Sequence, residues 1–145
     1  MLEQMAISGV ARWKSPDGDL RIWRPAPHVL LTRFEGRYYS LDFARRTMDA
    51  IEESAAGQPP PDIFHDWEGM EAYATESRTQ MTEQARRLLR QVNSFTVLTR
   101  SKLVRMGVSM ANLVLGGRIQ AVTERGEFER ALDQAVSRFQ VARGA

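Results

Sequence analysis

The sequence predicts an α/β fold: a four- to five-stranded, mostly parallel sheet with an N-terminal hairpin and four main helices packed largely on one face. Three observations predict it. Short extended runs alternate with apolar stripes of helical period, the pattern of parallel strands joined by crossover helices. The one breaker cluster, Gly57-Gln-Pro-Pro-Pro61, is too short to separate domains and reads as a helix stop followed by a stiff connection. The 145 residues, 43% hydrophobic and 26% charged, have the proportions of one ordinary domain that can bury a core without staples.

The elements follow in order. Val10 to Trp23 reads as two short strands about the turn Pro16-Asp17-Gly18, where proline fixes φ and glycine permits the reversal. His28 to Phe34 is a strand closed by Glu35-Gly36. Leu41, Ala44, Met48, Ile51 and Ala55 form one helix face, with Ser40 as N-cap and Asp42 in the first turn. Asp62 to Trp67 is a strand, followed by the loop Glu68 to Tyr73 and a second helical stripe at Met81, Ala85, Leu88 and Val92. Phe95 to Arg100 is a strand, Lys102 to Leu115 a helix stopped by Gly116-Gly117, and Ile119 to Thr123 a further strand. Phe128, Ala131, Leu132, Ala135 and Phe139 mark the last helix, with Thr123 near its start and Glu127 and Glu129 in its first turn. Residues 1–18 form an N-terminal extension or hairpin on a core of 19–140, all in a single domain of 1–145. If strand order follows chain order, right-handed crossovers put every helix on one face. The other face, softened by Thr96, Thr99 and Gln120, is then thinly covered and open to a partner or to a second copy in a homodimer.

Composition excludes several classes. Without cysteine there is no disulfide, thiol chemistry, cysteine-ligated zinc or iron–sulfur cluster. No apolar run approaches a membrane span, because Arg100, Lys102, Arg105 and Arg118 interrupt the most hydrophobic stretch. The start, Met1-Leu-Glu-Gln-Met, lacks a secretory pattern, so the expected location is cytoplasmic. A net charge of +2 is too small to argue for nucleic acid. Its distribution is uneven: residues 42–83 carry three basic against ten acidic groups, and residues 84–145 eleven against four. These faces either meet one another in the fold or steer other molecules.

Ligands of open α/β sheets bind beyond the carboxyl ends of the strands. There the sequence puts His65-Asp66, the acidic loop with Glu68 and Glu71, and Arg100-Ser101-Lys102 at a helix N-terminus. The cations either pair with those carboxylates, hold a phosphate or other anion, or meet a peptide. His65 and Asp66 point to opposite faces of a strand and cannot form a base and its orienter. His65 therefore reads as structural or hydrogen-bonding. An enzyme would need it as acid/base, with Arg100 or Lys102 stabilising an anion. No catalytic set, metal set or cofactor motif is readable. Gly107, unfavourable within a helix, implies close packing or contact with something else, and its helix reads either as a half-buried core helix or as a partner groove that includes the adaptable Met106 and Met110. Thr75 or Ser77 suits the N-cap of the second long helix.

The order of elements, with Phe64-His-Asp-Trp-Glu-Gly-Met70, Thr99 to Ser109 and the helix after Gly126, resembles the STAS domain, the sulfate transporter and anti-sigma factor antagonist family with a SpoIIAA-like fold. More narrowly, the wording resembles a bacterial subgroup of unassigned function. The resemblance implies a non-catalytic regulatory module without cofactor that binds another protein, kinase-like or otherwise regulatory. It also implies a phosphorylation switch at the start of the helix after the central strand, where Thr75 and Ser77 are the nearest hydroxyls. The family's aspartate-serine-serine-glycine motif is absent at that place. The expected partner-binding set is His65, Asp66, Glu68, Glu71, Arg100, Ser101, Lys102 and Met106. The alternative is a phosphate, nucleotide or lipid site at the strand ends.

Overall fold

The computed structural model describes residues 10–144, with side chains described for 10–138. The expectations for the first five residues and for Phe139 lie outside the described side chains. One sheet carries six strands in chain order: β1 (Ala11–Ser15), β2 (Gly18–Ala26), β3 (Val29–Gly36), β4 (Asp62–Met70), β5 (Ser94–Thr99) and β6 (Ile119–Val122). The helices are α1 (Leu41–Ala55), α2 (Thr75–Arg87), α3 (Lys102–Val114) and α4 (Arg125–Gly144). β1, β2 and β3 pair antiparallel, and β3 to β6 pair parallel. The expected four to five strands are thus six, because the N-terminal hairpin joins the sheet rather than standing apart. Gly18 closes that hairpin against the ring of Phe34, 2.3 Å from where a Cβ would sit.

Local chemistry sets the boundaries. Ser40 caps α1 by accepting from the Phe43 amide. α3 ends as the paired glycines require: Gly116 has φ 65°, and the Gly117 amide donates to the Asn112 carbonyl at 3.0 Å. Asn112 also clamps β6, donating to the Ile119 carbonyl at 3.0 Å and accepting from its amide at 2.8 Å. α2 departs from expectation: its N-cap is Ala74, with no side-chain cap. Thr75 lies inside the helix, and Ser77 instead donates to the Tyr39 carbonyl at 3.1 Å.

Helices α1, α2 and α3 cover one face, as a common crossover hand demands. Leu20, Phe34, Phe43, Ile63 and Val97 form the core between them and the sheet. α4 corrects the expectation of a thinly covered second face. It crosses beneath the sheet from β6 toward β2. There Phe128 and Ala135 pack against Trp23, Leu31, Phe64, Leu98 and Val122. Thr96 and Gln120 do face this side, bordering α4. Thr99 does not, because strand alternation puts it with Phe95 and Val97 on the three-helix face.

Candidate functional site at the strand ends

β4 is the central parallel strand, and its alternation divides the candidate residues. Ile63, His65 and Trp67 face the three-helix side, while Phe64 and Asp66 face α4. His65 is buried, shares a 2.6 Å hydrogen bond with Thr32 on the neighbouring strand, and stacks on Trp67 with ring centroids 4.7 Å apart. Burial pushes its imidazole pKa down from 6.5 to about 3, so the ring is neutral at physiological pH. It lines an apolar cavity of about 90 Å³ between the sheet, α2 and α3. Tyr73 borders this cavity with its hydroxyl against Gly107, where a Cβ would sit 2.3 Å away. The close packing expected at Gly107 is therefore present.

On the other face Asp66 is almost fully buried between two guanidinium groups. Arg33 Nε donates at 2.9 Å, and Arg125 Nη2 donates to both carboxylate oxygens at 3.0 and 2.8 Å. Arg125 also donates to Glu68 at 3.0 Å, and Glu68 pairs with exposed Arg100 at 3.7 Å. Hydrogen bonds to Asp66 and Glu68 push the Arg125 pKa above its ordinary value, so its charge is fixed. This chain of ion pairs ties β3, β4 and Arg100, just past β5, to the first turn of α4.

Asp66 and Arg100 do not pair with each other. Asp66 turns away to Arg33 and Arg125, and Glu68 alone meets Arg100. What remains at the strand ends is a shallow depression lined by Glu68, Glu71, Arg100 and Ser101. Ser101 caps α3, accepting from the Val104 amide at 3.4 Å, and donates to the Glu71 carbonyl at 3.4 Å. Lys102 and Met106 stand exposed on α3. Thr75 is exposed and Ser77 is buried. Of the expected set, His65 and Asp66 lie inside on opposite faces, while the other six gather at the strand ends and on α3.

Sequence reasoning missed Arg33 and Arg125. Alternation could have found the first, since Asp66 turns from His65 and its register partner on β3 is Arg33. Arg125 opens the helix after the edge strand, and nothing local predicts that this helix crosses to the Asp66 side. Among the described residues no group of three or more His, Asp or Glu could hold a metal ion, and no helix is long and apolar enough to cross a membrane.

No protein-family model matches the sequence, and no curated protein matches it. Solved structures do. An uncharacterized protein of the DUF3478 family with a SpoIIAA-like fold, from Shewanella loihica PV-4, superposes with a TM-score of 0.55 at 12% identity. The match covers 88% of this chain and 92% of that one. An anti-sigma factor antagonist from Mycobacterium paratuberculosis superposes with a TM-score of 0.51 at 13% identity, covering 84% of this chain and 91% of that one. The architecture of this chain is SpoIIAA-like, with six strands and with α4 alone on the second face.

Proposed function

We propose that this chain is a non-catalytic regulatory module of STAS type, acting in the cytoplasm by binding another protein at the carboxyl ends of β4 and β5. One observation carries the reading. His65 and Asp66 are buried on opposite faces, His65 at the wall of the apolar cavity, while Glu68, Glu71, Arg100 and Ser101 line the depression at the strand ends and Lys102 and Met106 stand exposed on α3. A general acid or base must reach a substrate proton, directly or through one water, and the burial of both side chains, 3% and 1% exposed, works against such access. The likeness of fold to an anti-sigma factor antagonist supports a partner that is a protein. Anion binding at the same place is less favoured, because Glu68 already meets Arg100 and Arg125 and the hydroxyl of Ser101 is engaged in its cap. Within this reading Thr75 is the hydroxyl a kinase can reach. Ser77 is held against the Tyr39 carbonyl.

Affinity capture from the native cell, with the wild-type chain beside Glu68→Lys, Glu71→Lys and Lys102→Glu, tests the proposal. The expected result is a protein whose retention falls about tenfold in at least one variant, as for a charge pair lost at an interface rim. Equal retention by all four chains, or turnover of a substrate that His65→Gln abolishes, contradicts it.

A further inference from the structure

Among the described residues six large apolar side chains stand exposed, and five belong to α3: Leu103, Met106, Met110, Leu113 and Val114. Leu113 is 85% exposed and the other four about half. This is no leftover of a core helix, for α3 has a separate buried face at Val104, Gly107, Val108 and Ala111. Leu103, Met106, Met110 and Leu113 are spaced three, four and three residues apart, the a/d spacing of a helix that packs lengthwise on another. Their combined exposed surface, roughly 500 Å², is at the upper end of what monomers leave open, a size that marks interaction sites.

The charge around this seam has one sign. Residues 94–123 contain Arg100, Lys102, Arg105 and Arg118 and no aspartate or glutamate. Lys102 and Arg105 border the seam on the side away from Val114, by helix geometry. Arg118 donates to the Leu89 and Val92 carbonyls, and neither it, Lys102 nor Arg105 has a carboxylate partner among the described residues. A second copy docked seam to seam would bring two Lys102 and two Arg105 side chains together with no counter-charge. A membrane-surface helix needs a broad apolar face, whereas Leu103, Met106, Met110 and Leu113 form a narrow line.

We infer that the exposed seam of α3 docks an acidic amphipathic helix of the partner protein, its apolar residues between Met106 and Leu113 and its carboxylates against Lys102 and Arg105. The inference rests on the protein-binding function proposed above and names the surface and the partner's chemistry. The two methionines let the seam conform to its occupant, and the cations set its orientation and salt dependence.

The full chain is titrated with a synthetic amphipathic helix bearing Leu at a and d and Glu at e and g, with its Lys-flanked counterpart, and with vesicles of equal parts phosphatidylcholine and phosphatidylserine. The Glu-flanked helix should bind, more weakly as salt rises, and the Lys-flanked helix should not. Leu113→Glu and Met106→Glu should each weaken binding about tenfold or more at an unchanged melting temperature, since both side chains are exposed. No binding by the Glu-flanked helix overturns the inference. So does preference for the vesicles, or a dimer in sedimentation that Leu113→Glu dissolves. If a captured native partner loses affinity with Glu71→Lys but not with Leu113→Glu, the module stands and the seam is refuted. If it loses affinity with Leu113→Glu, both are supported.

Discussion

The two faces of β4 solve the burial of polar groups in opposite ways. Toward α1–α3, His65 is buried and left neutral, with Nδ1 bonded to one threonine and the ring stacked on one indole. Toward α4, Asp66 keeps its hydrogen-bonding capacity filled by two arginines from β3 and α4. Burial removes the charge in the first case, and ion pairing retains it in the second. The lesson concerns function: a histidine and an aspartate adjacent in sequence at the end of a central strand can both be structural, one filling a core and the other latching a helix.

The sharpest way to break the comparison is Asp66→Ala. It leaves Arg33 and Arg125 facing one another without their shared carboxylate and should cost about 2–4 kcal/mol in urea unfolding, the partial exposure of both arginines keeping it from more. A loss under about 0.5 kcal/mol would mean that α4 is held by its apolar contacts alone.

The His65 face predicts a different signature. Below pH 6.5 the unfolded chain takes up a proton that the folded chain refuses until about pH 3. The stability this group contributes is therefore fully present above about 6.5 and falls as pH drops toward about 3, by about 1.4 kcal/mol for each pH unit between. Carboxylates titrate there as well, so the wild type should be compared with His65→Gln, whose acid limb should be shallower. Equal limbs in the two chains would contradict the burial argument.

Gly107→Ala probes the cavity wall. A methyl group there meets the Tyr73 ring, so the variant should lose about 1–2 kcal/mol even though alanine favours a helix. In a Tyr73→Ala background the same change should instead gain about 0.5–1 kcal/mol, which a double-mutant cycle reads directly. The smallest effect belongs to Arg100→Ala. Its pair with Glu68 is long and exposed, and its loss should stay within about 1 kcal/mol while leaving the depression open to a partner.

Most of the scaffold could be read from residues, because apolar periodicity and caps are local signals. Ser40, the α3 stop at Gly116 and the stripe through Ala44 and Ile51 lie where spacing puts them. β4 and β5 run side by side in the same direction, with Phe64 opposite Thr96 and His65 opposite Val97. What escaped depends on long-range packing. The side of the sheet chosen by α4 is set by Phe128 meeting Phe64 across 64 residues, and the partners of Asp66 follow from that choice. From the sequence Ser77 reads as a cap or a modification point, because its hydroxyl is near a helix start. Its bond to Tyr39 is visible only once α1 and α2 are side by side. The α3 surface was half readable: Met106 and Met110 stood out, but their exposure needed Leu113 and Val114 beside them to become a seam.

The proposed function depends on His65 and Asp66 being structural groups, with recognition left to the surface around them. Following the His65 ring by NMR across pH tests this most directly. The account predicts resonances that stay flat from about pH 8 to about pH 5, with the neutral ring bonded to Thr32 throughout. An inflection near 6.5, the value of a solvated imidazole, would contradict it and return His65 to the list of groups that can exchange protons with a substrate.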